Sequence, residues 1–175
     1  MTAPYTNGSG THAAIAGHPL HPFIVPLPIG ALLFAFVSDI AFYYTGDPQW
    51  SATSYFLLCG GVATALLAAV LGMIETMGVK RARTMGLVWA HAILNVLAVI
   101  VAFVSILLRN GGATDAAGFN LAMTGPIAVG LLVSGWIGGE ISYKHGVGVA
   151  ETVGSDRPDN DLERDAFGRP DVGKA

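Results

Sequence analysis

Three histidines stand out in this sequence because they lie beside or within long apolar stretches. His18 and His21 belong to the run GHPLHP that leads into the first stretch, and His91 lies about two turns inside the third. Neutral imidazole binds metal ions and haem iron, and ionisable groups at membrane depth are costly enough to suggest a function. We therefore expect these histidines to hold a cofactor or metal, or to transfer protons. The alternative is that His18 and His21 cap helix ends or contact lipid phosphates.

Two further polar residues extend this candidate site. Asn95 lies one helical turn deeper than His91 on the same face, where it can orient a polar group or hydrogen-bond across helices. Glu75 lies near the end of the second apolar stretch. We predict that His18, His21, His91 and Asn95 form a cofactor site, and that His18, His21, His91 and Glu75 are the metal ligands of an alternative site. No catalytic residue is predicted.

Other charged residues have structural interpretations. Asp39 lies in the first apolar stretch, far from the histidines, and Arg109 at the end of the third stretch is its predicted partner. Glu140 precedes Lys144 by four residues, the favourable order for an ion pair on one helix.

The composition indicates an integral membrane protein. Hydrophobic residues make up 53% of the 175, charged residues only 12%, and the mean hydropathy is +0.57. Four apolar stretches without period-two alternation are each long enough to cross a bilayer as a helix. They cover residues 23–44, 51–77, 84–108 and 120–143. Because the connections are short, neighbouring helices must be antiparallel, which predicts an all-α, up-down four-helix transmembrane bundle.

The charge pattern predicts domain limits and orientation. Residues 1–17 are predicted to be a flexible segment, 18–149 the membrane domain, and 150–175 a polar, disordered tail. Lys80, Arg81 and Arg83 form the densest basic loop, which the positive-inside rule places in the cytoplasm with both termini. A proline-broken His18–His21 segment is predicted to be an extended turn.

Several function classes are disfavoured. No larger basic cluster suggests nucleic-acid binding, and the single cysteine, Cys59, allows neither an intrachain disulfide nor a thiolate metal cage. Phosphate-binding loops, nucleophile elbows and zinc-protease motifs are absent from the sequence. Spans one and two do not resemble spans three and four, as an inverted-repeat transporter would require. We expect a protein that is not itself an enzyme.

The His-Pro run, with Pro26-Leu27-Pro28-Ile29-Gly30, Asp39, Gly72 with Glu75, and His91 with Asn95, resembles an uncharacterised bacterial four-helix membrane family. The family is known only as a domain of unknown function, and the resemblance covers about residues 17–149. It implies a bundle in the bacterial inner membrane. Longer relatives continue into a Rieske iron–sulfur domain, and others are joined to cytochrome-like modules, which implies electron transfer.

This chain departs from those longer relatives. The residues after Val149 lack the cysteine and histidine ligands of a Rieske cluster, so a redox partner must be a separate protein. Glu140 stands where such relatives often have histidine, which weakens a ligand role there.

The resulting hypothesis is a haem-b-binding electron-transfer module in the lipid bilayer. His91 would be one axial ligand and His18 or His21 the other, with small residues such as Gly72 making room for the macrocycle. A non-catalytic membrane scaffold or accessory subunit, and a small metal or proton conduit, are the alternatives. A homo-oligomer is compatible with each.

Overall fold

A computed structural model describes residues 14–15, 18–109, 116–145 and 147. Four helices in this part of the chain are long and apolar enough to cross a membrane, as predicted. Their bounds are Leu20–Thr45, Pro48–Gly78, Gly86–Leu108 and Ala117–Tyr143. The shortest has 23 residues, which corresponds to about 34 Å of helix and spans a hydrocarbon core. The predicted flexible segment 1–17 and tail 150–175 fall almost wholly outside the described residues.

The secondary structure follows in chain order. Two short strands, β1 (Ala14–Ile15) and β2 (His18–Pro19), pair antiparallel, with Ala14 opposite Pro19. The helices are α1 (Leu20–Ile24), α2 (Pro26–Thr45), α3 (Pro48–Gly78), α4 (Lys80–Thr84), α5 (Gly86–Leu108) and α6 (Ala117–Tyr143). Apart from this pairing the described chain is helical, and the prediction of an all-α bundle is confirmed.

The four long helices form a ring. α2 packs against α3 and α6, and α5 packs against the same two helices, so α2 and α5 are diagonal. Short connections enforce this antiparallel order. Gly46 ends α2 in the left-handed conformation (φ 68°), and the Asp47 carboxylate accepts a 2.9 Å hydrogen bond from Gln49 N at the start of α3.

Two local predictions need correction. The predicted extended turn through His18–Pro22 stops at Pro19, because His21 and Pro22 lie in the first turn of α1. Proline is tolerated there because the first-turn amides have no helical acceptor. The predicted loop 78–83 contains the short helix α4, and Trp89 Nε1 donates a 2.9 Å hydrogen bond to the Arg83 carbonyl, which ties α4 to α5.

Small and branched residues fill the centre of the ring, and large apolar ones cover its outside. The central cluster consists of Leu32, Ala35, Leu58, Val62, Ala98, Ala102, Ile127 and Leu131. Side chains such as Phe34, Phe56, Ile100 and Leu132 are more than half exposed, as expected of surfaces that face lipid tails. We call the end of the bundle with His21 and His91 the histidine end, and the end with Asp39 and Arg109 the arginine end.

Candidate functional site

His21 is held at the histidine end by a backbone carbonyl of a neighbouring helix. Its Nδ1 lies 2.8 Å from the carbonyl oxygen of Ala68 on α3. A carbonyl oxygen can only accept, so Nδ1 must carry the proton and donate. In the neutral ring, Nε2 is then unprotonated and offers its lone pair.

His91 is held in the same way on α5. Its Nδ1 lies 2.9 Å from the carbonyl oxygen of Ser134 on α6, and the Ser134 Oγ is also 2.9 Å away. The contact to the carbonyl again requires Nδ1 to donate, and the lone pair is left on Nε2. A hydrogen bond of this kind fixes the tautomer and orientation of histidines that bind metals.

Each imidazole packs against a glycine one turn beyond its carbonyl partner. A Cβ at Gly72 would lie 2.8 Å from His21 Cε1, and a Cβ at Gly138 would lie 3.1 Å from His91 Cε1. The first distance excludes any side chain unless the ring moves. The His21 ring thus occupies the space beside Gly72, and the role of Gly72 in making room for a macrocycle stays a prediction. Sequence reasoning missed Gly138 and Ser134 as site residues.

Asn95 supports the site through Ser134. Its Nδ2 donates to the Ser134 Oγ at 2.6 Å and to the His91 carbonyl at 2.7 Å. The structure thus joins His91, Asn95 and Ser134 in one hydrogen-bonded group between α5 and α6. Such bonds between membrane helices are each worth about 0.6 kcal/mol.

His21 on α1 and His91 on α5 lie at the same end of the bundle. Glu75 is also at this end: it is buried, 8% exposed, and shares a face of α3 with Ala68 and Gly72. The predicted ligand His18 lies in β2, and the structure describes its backbone only. Among the described residues, no group of three or more His, Cys, Asp or Glu side chains could hold a metal ion.

At the arginine end, the structure brings Asp39 and Arg109 together in a bidentate ion pair. The guanidinium Nη1 and Nη2 donate to the Asp39 carboxylate at 3.0 and 2.7 Å, and both side chains are fully buried. The Ser54 and Ser105 hydroxyls accept from Arg109 at 2.8 and 3.0 Å, and Thr124 donates to Asp39 at 2.8 Å. The pair therefore connects α2, α3, α5 and α6.

The structure also places Glu140 and Lys144 in contact. Lys144 Nζ lies 2.7 Å from Glu140 Oε1, with side chains 69% and 28% exposed for lysine and glutamate respectively. Solvent screens such a pair, and its contribution to stability is expected to be small.

Comparison with known proteins identifies the family of this chain. Residues 17–151 match the family DUF2231, described as predicted membrane proteins. The chain belongs to this family. No curated protein and no solved structure matches it. The resemblance seen in the sequence is thus confirmed at the level of the family, a membrane family of unknown function, and DUF2231 membership agrees with the four apolar helices.

Proposed function

We propose that this DUF2231 protein binds haem b between His21 and His91 and transfers electrons within the membrane. One observation carries the proposal: both Nδ1 atoms are committed to backbone carbonyls, of Ala68 and Ser134. Both Nε2 lone pairs are therefore available, on rings that α1 and α5 place at the same end of the bundle.

The number of ligands favours haem over a bare metal ion. Structural zinc takes four protein ligands and catalytic zinc three, whereas haem iron already has four porphyrin nitrogens and needs at most two from the protein. The described residues supply two imidazoles at the histidine end and no group of three metal-binding side chains. This donor set fits a haem.

The residues have distinct tasks in this proposal. His21 and His91 would hold the haem through their Nε2 atoms, and Asn95 would keep Ser134 and thereby His91 in place. Haem, when bound, supplies one-electron redox chemistry. A separate Rieske or cytochrome-type partner would exchange electrons at the histidine end, because the proposed haem lies there.

Absorbance spectroscopy of the purified full-length protein tests the proposal. We expect a Soret band and sharp reduced α and β bands after dithionite, with about one haem per chain. His91→Ala should lower haem content about tenfold or more, since even weaker changes around metal ligands cost 10–100-fold. His145→Ala is the matched control, because His145 follows α6 outside the two hydrogen-bonded rings.

A colourless wild-type protein after expression with added haem would contradict the proposal, as would an unchanged spectrum in His91→Ala. The alternative is a scaffold or accessory subunit, favoured by the fact that each imidazole already makes an interhelical hydrogen bond. In that case His91→Ala would lower thermal stability in a protein that contains no haem.

A further inference from the structure

Four buried positions of α2 recur in α5, whereas Ser38 is buried and Leu108, 70 residues later, is 52% exposed. Pro28, Leu32, Ala35 and Asp39 are buried, and so are Ala98, Ala102, Ser105 and Arg109. Residues in the same order in these two sets are 70 positions apart, as Asp39 and Arg109 are, and we call two such residues counterparts. His21 and His91 have this separation as well. The two helices therefore present matching positions to the interior of the bundle.

The same correspondence relates α3 to α6, at a slightly smaller constant offset. Ser54, Leu58, Gly61, Val62, Ala68 and Glu75 are buried on α3, and their counterparts Asn120, Thr124, Ile127, Ala128, Ser134 and Ile141 are buried on α6. The residue types mostly differ, but Gly72 and Gly138 are identical counterparts.

The contacts of the two histidines correspond atom by atom. The His21 Nδ1 bonds the carbonyl of Ala68 and packs on Gly72, and the His91 Nδ1 bonds the carbonyl of Ser134 and packs on Gly138. Ala68 and Ser134 are counterparts, as are the two glycines. The ring of helices agrees, since exchanging α2 with α5 and α3 with α6 reproduces the same neighbours.

We infer that the chain consists of two equivalent helical hairpins related by a pseudo-twofold axis along the bundle, and that His21 and His91 hold one ligand across it. The ligand site is thus bis-imidazole, one Nε2 from each half, which suits an iron porphyrin that offers two equivalent faces. This assignment rests on the proposed function and selects His21, rather than His18, as the second ligand.

The same axis accounts for the ion pair. Counterpart positions near a twofold axis face one another, so two identical charges there would repel in a buried, low-dielectric site. Asp39 and Arg109 occupy such positions with opposite charges and lie 2.7 Å apart. Two polar groups around the ion pair are specific to one half, because Ser105 and Thr124 have Ala35 and Leu58 as counterparts, whereas Ser54 has the polar Asn120.

Matched substitutions test the ligand assignment. We expect His21→Ala and His91→Ala each to lose the six-coordinate, low-spin spectrum, while His18→Ala keeps it. The residual amounts of six-coordinate haem in the first two variants should agree to within about threefold. Added imidazole should restore that spectrum in both His21→Gly and His91→Gly. If His18→Ala loses the spectrum and His21→Ala keeps it, the equivalence is overturned while haem binding stands. A colourless wild-type protein would instead contradict the proposed function and, with it, the assignment of haem to His21 and His91.

An exchange of counterparts tests the two-hairpin architecture without haem. Asp39→Arg alone should prevent stable folding, because two arginines would meet in the core. The exchange variant also carries Arg109→Asp, Ala35→Ser, Ser105→Ala, Leu58→Thr and Thr124→Leu. We expect it to recover most of the lost melting temperature of the full-length protein in detergent. An exchange variant no more stable than Asp39→Arg would overturn the equivalence of the halves.

Discussion

At the scale of single residues, the histidine end depends on the contact between an imidazole and a helix backbone. A ring can reach the carbonyl of Ala68 or Ser134 only because no side chain stands one turn further along. The two glycines thus have a specific role, which differs from the general role of small residues in helix packing.

Gly72→Ala should therefore be destabilising by about 1–3 kcal/mol, because its Cβ would overlap the His21 ring and force it from the Ala68 carbonyl. Gly60→Ala on the same helix is the control, since a Cβ there meets nothing within 4 Å. It should be neutral or slightly stabilising, as alanine favours helix. Melting temperatures in detergent measure both effects. Equal losses of melting temperature in Gly72→Ala and Gly60→Ala would contradict this role of Gly72.

At the scale of helices, the buried Asp39–Arg109 pair is the contact that joins all four transmembrane elements. The pair bonds the hydroxyls of Ser54, Ser105 and Thr124 on α3, α5 and α6, and the guanidinium also donates to the Asn120 carbonyl at 3.4 Å. A buried charge that loses its partner is costly, whereas loss of both charges together is often tolerated.

Asp39→Leu should thus lower stability by about 3–5 kcal/mol, as should Arg109→Met, because each leaves an uncompensated buried charge. The double variant should be more stable than either single one. Glu140→Gln, which breaks the exposed pair with Lys144, should cost less than about 1 kcal/mol. Additive losses in the double variant, measured by thermal or denaturant unfolding, would show that the two side chains act independently.

At the scale of the whole molecule, the short basic segment between α3 and α5 predicts the orientation. Lys80 and Arg83 are exposed at the histidine end, and Asp47 is exposed at the arginine end. From the positive-inside rule we predict that the histidine end faces the cytoplasm.

Cysteine labelling checks this orientation. In a Cys59→Ala background, a membrane-impermeant maleimide on intact spheroplasts should label Asp47→Cys and leave Lys80→Cys unlabelled. Permeabilised cells, the control, should label both. The reverse pattern would invert the topology and move the histidine end to the outer side of the membrane.

The sequence by itself determined the membrane class, the four spans and their antiparallel order, because apolar length and short loops leave few other arrangements. It also identified the chemically unusual residues: His21, His91, Asp39 and Arg109. The sequence also predicted the pairing of Asp39 with Arg109, which the structure shows at 2.7 Å. Only the tertiary structure decided the contacts of His21 with Ala68 and of His91 with Ser134, because they depend on helix rotation and ring order.

The correspondence of the two hairpins was likewise hidden in the sequence. Spans one and two share few residue types with spans three and four, so direct comparison indicated no repeat. The pattern of buried positions reveals the match. Packing strongly constrains which positions face the core, but it constrains the type of side chain at each position less. Leucine, alanine and threonine can fill equivalent places in a bundle, and only an imidazole against a backbone carbonyl required the same residue twice, with the same glycine beside it.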